Sequence, residues 1–424
     1  MNERPPNEPS RHFPQPQRLW DDSARHTRSL GCHTCLEFGR CGGVHTDAGV
    51  LDCRDLCSCR DKSRCDMVCR FNARMFVARM REVGGLSFET APRVRACGVP
   101  ALPNIVPFVD HRYGRASTLN EPVVALSLYE VVNMATGALH VTSRQALADR
   151  FLIPADAAII VIGVDKDGPI ERWWELPNRA VVLAGLARLG VAVITTPNYS
   201  VLTDVPRTDN LHAMKRILLA WTEMAAAGLP SALHVNARTD YDYLRWGQLI
   251  AKRAEIELLA FEFATGGGRG ERIDWHVEQL CMLADRVGRP LTLMIRGGGR
   301  KAALLRRHFA HVTLIETESF ARAIRRRRAV LSNSGRLRWS SSPTPKGAPI
   351  DDLVAHNVKV VRRAHELVGG PAPRSRVVAT QRTSNRNDQS IQPSLLGDLV
   401  SPAETGSVAP QPQRVITTAK AQLR

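Results

Sequence analysis

VAVITTPNYS at 191–200, SALHVNARTD at 231–240, LLAFEFATGGGRG at 258–270 and LTLMIRGGGR at 291–300 decide the fold. Each opens on a short run rich in β-branched residues or leucine and ends in polar or glycine-rich residues. Between them lie segments of helical period, such as NLHAMKRILLAWTEMAAAG and WHVEQLCMLADRVG. A repeated strand–loop–helix unit implies parallel strands, since parallel neighbours need a long crossover. Working outward, NIVPFV (104–109), VVALSLYEV (123–131), AIIVIGV (158–164) and VTLIE (312–316) complete a set of eight strands, the number in a (β/α)8 TIM-type barrel. Helices are also expected in SRQALADRFL, RAVVLAGLARLG, YDYLRWGQLIAKRAE, KAALLRRHFA and SFARAIRRRRAVL. None is expected in HRYGRASTLNE between the first two strands, which keeps an open doubly wound sheet as the alternative α/β fold. In both folds a ligand sits beyond the carboxyl ends of the strands.

Those ends carry the candidate site. Asp110, Asp165, Asp204, His234 and Glu262 are the candidates for acid–base or nucleophilic chemistry, which needs titratable groups brought together from separate strands. Asn198, Tyr199, Asn236, Arg238 and Arg296 are candidates for holding substrate. Two glycine runs, Gly266, Gly267, Gly268 and Gly297, Gly298, Gly299, follow successive strands with Arg269, Arg296 and Arg300 beside them. Glycine lets backbone N–H groups approach a phosphate closely, so these runs are expected to bind phosphate. They match neither the Walker loop nor a dinucleotide fingerprint. Tyr129, Glu130 and Glu316 are further polar residues at strand ends.

The remaining chain divides by composition. Residues 1–30 are polar and rich in proline, which predicts disorder. Residues 31–84 hold Cys32, Cys35, Cys41, Cys53, Cys57, Cys59, Cys65 and Cys69, followed by a helix whose Phe71, Met75, Phe76 and Met80 form a docking stripe. Eight thiolates at such short spacings predict a metal module, with zinc and an iron–sulfur cluster both open. The barrel is expected over 103–331, a basic segment and helix over 335–370, and a disordered tail over 371–424. Cys97 is expected as a small buried residue between module and barrel.

The chain has 424 residues, 44% of them hydrophobic, and a formal net charge of +17. From Arg322 onward, 18 Lys and Arg face 6 Asp and Glu, so this last quarter carries +12 of that charge. A basic balance predicts a polyanionic partner, a nucleic acid or nucleotide. No apolar run is long enough to span a membrane and the N-terminus lacks a signal-peptide core, so a cytoplasmic location is expected.

The segment VAVITTPNYSVLTDVPR with the later SALHVNARTDY resembles an uncharacterised barrel family of phages, plasmids and other mobile elements. That resemblance implies the fold and a mobile-element context without a reaction. More distantly, the layout is similar to tRNA-guanine transglycosylases, which implies base exchange at a glycosidic bond, a bound zinc and a nucleophilic aspartate among Asp110, Asp165 and Asp204. The zinc motif of those enzymes lies toward the C-terminus as C-x-C-x2-C, whereas this array is N-terminal and spaced differently. The other readings of the chain are an iron–sulfur redox or radical enzyme, and a noncatalytic nucleic-acid-binding protein contacting its partner through the cysteine module and Arg325–Arg328.

Overall fold

The computed structural model describes residues 82–369, apart from 112, 203–206, 266–269, 271 and 346. The eight-cysteine array, its docking helix, Asp204, Gly266, Gly267, Gly268 and the tail lie outside the described residues. The fold is α/β, built on one eight-stranded parallel sheet: β1 Ile105–Pro107, β2 Val123–Ser127, β3 Ala158–Ile162, β4 Val191–Thr195, β5 Ser231–His234, β6 Leu258–Glu262, β7 Thr292–Arg296 and β8 His311–Glu316. The strands run in sequence order from β2 to β8, and β1 pairs with β8. A bridge from Phe108 to Ala125 and the bond from Val109 N to Ala125 O (2.8 Å) then bring β1 against β2, so the sheet is nearly closed and barrel-like. The strand order has no reversal, which a doubly wound sheet requires.

Alternation sorts the strand residues into two layers. Val106, Ala125, Ile160, Ile162, Val193, Ala232, Leu258, Ala260, Met294 and Ile315 pack together inside the sheet. Their neighbours, among them Val124, Leu126, Ile159, Leu233, Leu259, Leu293 and Leu314, pack outward against the helices. The surrounding helices are α1 Arg144–Phe151, α2 Asp167–Glu175, α3 Arg179–Arg188, α4 Arg207–Ala226, α5 Asp240–Lys252, α6 Arg272–Val287, α7 Ala302–Leu305, α8 Glu318–Ile324 and α9 Asp351–Gly369. The two-helix crossover α2–α3 exceeds the single helix expected there, since GPIERWWE places Pro169 in a first turn where its missing N–H is harmless.

Between β1 and β2 the chain forms no helix, as expected, and α9 is fastened to that loop. Asp351 accepts from Ala116 N (2.8 Å) and Ser117 N (3.1 Å), Ile350 N donates to Gly114 O (2.8 Å), and Arg362 pairs with Glu121. The loop is stiffened by buried Arg115, which donates to Phe151 O (2.7 Å) and Leu152 O (2.6 Å). Val354 and Val358 of α9 join the core that holds Val124 and Leu126 of β2.

Two expectations need correction. The helix expected through Ala329–Leu331 stops at Ile324. Arg326 takes a positive φ (53°), and β9 Arg327–Leu331 pairs antiparallel with β10 Leu337–Ser341. The physical reason is tertiary. The Arg326 side chain bonds Thr344 and the Ala348 carbonyl, which holds the left-handed turn, and alternation on β9 buries Ala329 against α9. Cys97 is exposed rather than buried. Before it, the segment from Glu82 to Pro92 is held by cations that satisfy its polar groups: Lys215 bonds Ser87 O and Thr90 Oγ1, Arg245 bonds Leu86 O, and Arg253 bonds the carbonyls of Phe88, Ala91 and Pro92. No helix among the described residues is long and apolar enough to cross a membrane.

Asn357 ties the hairpin to α8 and α9, accepting from Ala329 N (2.8 Å) and donating to Ser319 O (3.2 Å) and Arg327 O (3.0 Å), with its side chain fully buried. Asn357→Ala leaves these backbone groups unpaired and is expected to lower stability by about 2–4 kcal/mol. The shift in the urea midpoint at constant slope measures it.

Candidate active site

Three inward-facing residues end their strands two positions beyond an inward apolar one. His234 follows Ala232, Glu262 follows Ala260 and Arg296 follows Met294, so strand alternation places all three in the top layer of the interior. With Asn198, Ser200, Asn236, Arg238, Phe261 and Thr265, His234 and Glu262 line a cavity of about 60 Å³. It is a mostly polar pocket at the carboxyl ends of the strands, where this architecture puts ligands.

His234 is fixed by the adjacent strand end. Its Nδ1 lies 2.6 Å from the Thr196 carbonyl, and its backbone N donates to Thr196 Oγ1 (3.0 Å). A carbonyl accepts only, so Nδ1 carries the proton and Nε2 keeps its lone pair. Among the described residues Nε2 takes no hydrogen bond. Burial pushes the His234 pKa down to about 4, with Arg296 adding to the shift and the Thr196 carbonyl opposing it. The ring is a neutral base at pH 7. Gly163 makes this possible, because a Cβ there would come within 2.5 Å of the Thr196 carbonyl.

Glu262 is buried beside Arg296. Its Oε2 accepts from Arg296 Nη1 at 2.7 Å and its Oε1 from Ala264 N at 2.5 Å. Burial raises the carboxyl pKa, while the Arg296 charge and hydrogen bond pull it back. The turn after β6 approaches β7 closely enough for this only because residue 297 is glycine: a Cβ there would lie 2.6 Å from Ala264 N, and φ is +76°. Gly298 packs on the Phe263 ring, and Gly299 packs on Leu314 and on His365 of α9. Gly297–Gly299 are therefore required by chain packing, and they do not line the cavity.

Arg238 is aimed by a capping box. Thr239 Oγ1 accepts from Asp242 N (3.2 Å), and Asp242 Oδ2 accepts from the backbone N of both Arg238 (2.8 Å) and Thr239 (3.1 Å). The half-buried guanidinium donates through Nη1 to Asn236 Oδ1 (3.3 Å) and the Ala237 carbonyl (2.8 Å), and among the described residues it forms no ion pair with a carboxylate. Burial and nearby Arg272 push its pKa down to about 10. Asn236 in turn donates to Tyr199 O (2.9 Å). Asn198 has its side-chain oxygen buried at the cavity wall without a partner among the described residues. An unpaired cation and an unpaired buried acceptor in one cavity are suited to a ligand carrying both an anion and a hydrogen-bond donor.

The other expected residues lie elsewhere. Tyr199 is fully buried in the helix layer, with the Arg216 guanidinium 4.1 Å from its ring centroid and Trp174 edge-on. Asp110 and Asp165 are exposed and outside the cavity wall, and Asp165 accepts from Lys166 N (2.6 Å). Asp167 takes the hydroxyl of Ser200 (2.6 Å), which does line the cavity. Glu316 falls on the outward phase of β8 and caps α8, accepting from Glu318 N (2.6 Å) and Ser319 N (2.9 Å). Among the described residues no group of three or more His, Cys, Asp or Glu side chains is placed to hold a metal ion. Ser200 stands in the polar run at the end of β4 that the sequence reading placed in the mouth, whereas that reading missed Gly163 and Thr196. The signal for both was present, since they stand at strand ends beside the candidate residues.

The buried histidines set an acid limit. The folded His234 pKa of about 4 lies below the unfolded 6.5, so the unfolded chain binds more protons between these values and stability falls as pH drops through that window. His276, pushed to about 3 by burial, acts in the same direction. Across that window His234 accounts for about 3 kcal/mol of lost stability. The urea midpoint is expected to fall from pH 6.5 to 4, and His234→Gln to flatten that fall; a midpoint that held or rose toward pH 4 would contradict the burial.

No family model matches the chain and no curated protein matches it in sequence, so the site is interpreted from its geometry alone.

Proposed function

We propose that the chain is a (β/α)8-type enzyme that cleaves or exchanges an N-glycosidic bond in a nucleotide or nucleic-acid substrate. The observation that carries this reading is a neutral imidazole, its Nε2 free, on the wall of the same cavity as a buried carboxylate. His234 Nε2 takes the proton from the attacking group, water in cleavage or a ring N–H in exchange. The new bond forms at the anomeric carbon as the carbon–nitrogen bond breaks, and the departing base leaves with the electron pair and takes a proton from solvent. The Glu262 carboxylate, held by Arg296 and the Ala264 N–H, stabilises the positive charge that develops on the sugar. Arg238 binds the substrate phosphate, and Asn198 accepts from a sugar hydroxyl or base N–H.

Support for the barrel assignment comes from the sequential strand order and from α9, which packs across the one connection without a helix. The eight N-terminal cysteines are proposed to bind zinc as a folding staple or an iron–sulfur cluster, in a cytoplasmic compartment that keeps them reduced. Elemental analysis, with an assay for acid-labile sulfide, separates the two.

Incubation with a panel of nucleoside 5′-monophosphates and short oligonucleotides, with free base measured by chromatography, tests the reaction. The wild type is expected to release base and His234→Ala to lose about 100-fold or more in kcat. Arg238→Gln is expected to raise KM with a smaller effect on kcat. Failure to release base from any member of the panel, or an unaffected His234→Ala, would overturn the proposal.

A further inference from the structure

We infer that the β9–β10 hairpin is a docking surface for the phosphate backbone of a nucleic-acid strand. No Asp or Glu occurs between Arg325 and Ile350, whereas six arginines do. The hairpin register puts Arg328 opposite Ser340 and Val330 opposite Arg338, and all four are exposed. The alternate phase faces the protein over most of its length: Ala329 is buried, and Leu331, Leu337 and Trp339 are half-buried, while Arg327 and Ser341 of that phase are exposed at the open end of the hairpin. The ribbon therefore has a packed side and a solvent side, with arginines on the solvent side, in the turn and at the open end. Its backbone is held by Asn357 of α9, and His356 bonds both Arg328 and the Ala329 carbonyl, so the solvent side is built on a fixed support.

What distinguishes this stretch is its density of arginine with no acidic residue among them, whereas Arg179 faces Glu223 and Arg216 faces Glu171 on the barrel helices. Arg325, Arg327, Arg336 and Arg338 are exposed and form no ion pair among the described residues. Arg327, Arg336 and Arg338 on the hairpin and Arg325 just before it are unneutralised guanidinium groups that repel each other, and a chain of phosphates relieves that repulsion. Exposed Ser340 and Ser341 between them add hydroxyl donors of the kind that contact phosphate oxygens. A lipid surface fits less well. The outer side exposes one sizeable apolar residue, Val330, and Trp339 is half-buried with the Arg322 guanidinium 5.4 Å from its ring centroid, so the bulky apolar anchors of an interfacial segment are missing.

The hairpin turn lies toward the carboxyl-end face of the barrel. At Gly335 it packs beside Leu367 of α9, and two residues earlier His365 covers Gly299 at the end of β7. A strand held along the hairpin can thus run toward the end of the barrel at which the cavity opens. The substrate is then a polymer rather than a free nucleotide, an inference that extends the proposed chemistry without depending on it.

The test uses the full-length chain carrying Arg327→Ser, Arg336→Ser and Arg338→Ser together. Fluorescence anisotropy measures binding to a labelled 20-nucleotide single-stranded DNA, the corresponding duplex and the RNA of the same sequence, each over a salt series. The wild type is expected to bind at least one of them with a steep salt dependence, and the tightest of the three identifies the polymer. The triple variant should bind it at least about tenfold more weakly, with a slope of log K against log salt reduced by about 2. Its melting temperature and its affinity for a nucleoside monophosphate should be unchanged, which separates the hairpin from the barrel mouth. Equal affinity and slope in the variant would overturn the inference. So would wild-type binding to phosphatidylserine vesicles with none to nucleic acid.

Discussion

The two-residue period of a parallel strand governs this molecule. Once β1 meets β2 through Phe108 and Ala125, every second side chain is enclosed within the sheet and its neighbours must face helices. Inside, Ala125, Ala232 and Ala260 leave room at the middle layers, and the next inward positions carry Ser127, His234 and Glu262. The same constraint sends Glu316 and Phe263 outward, one to cap α8 and the other to seat Gly298. Placement in the mouth is therefore a matter of phase along the strand, and residue type alone does not decide it.

Withdrawal from water then sets the chemistry of the groups on the inward phase. Burial holds His234 neutral at pH 7, and the Thr196 carbonyl selects the tautomer that leaves Nε2 as the base. The same burial raises the Glu262 carboxyl, yet Arg296 and a backbone N–H occupy both of its oxygens. An ion pair in such a setting contributes little net stability, because desolvation offsets most of the attraction. Its value lies in placing a fixed charge beside the cavity. Arg238 completes the set as a cation without a carboxylate, oriented by the Thr239 capping box.

Much of the architecture was legible in the sequence, because each strand is a β-branched or leucine-rich run bounded by a helix of clear period. The eight strands begin and end within a few residues of the expected positions, and the connection without a helix was visible in HRYGRASTLNE. Ala329–Leu331 was misread as helix because a run of arginine carries no period, and the turn at Arg326 depends on contacts with Thr344 and Ala348 far along the chain. In the site, His234, Glu262, Asn198, Asn236 and Arg238 were legible as polar residues at strand ends. Tyr199 was not separable from them, since its burial against Arg216 and Trp174 is a tertiary fact. Gly297–Gly299 looked like a phosphate loop, and only the packing of Ala264, Phe263 and His365 supplies the other reason for glycine.

His234 stands in the mouth as a desolvated neutral base with Nε2 unprotonated. Long-range proton–nitrogen correlation NMR on the histidine-labelled chain reads both the tautomer and the titration directly. The Nδ1–H tautomer is expected at pH 7, with protonation only near pH 4. An Nε2–H tautomer, or a titration near the ordinary value of about 6.5, would contradict it.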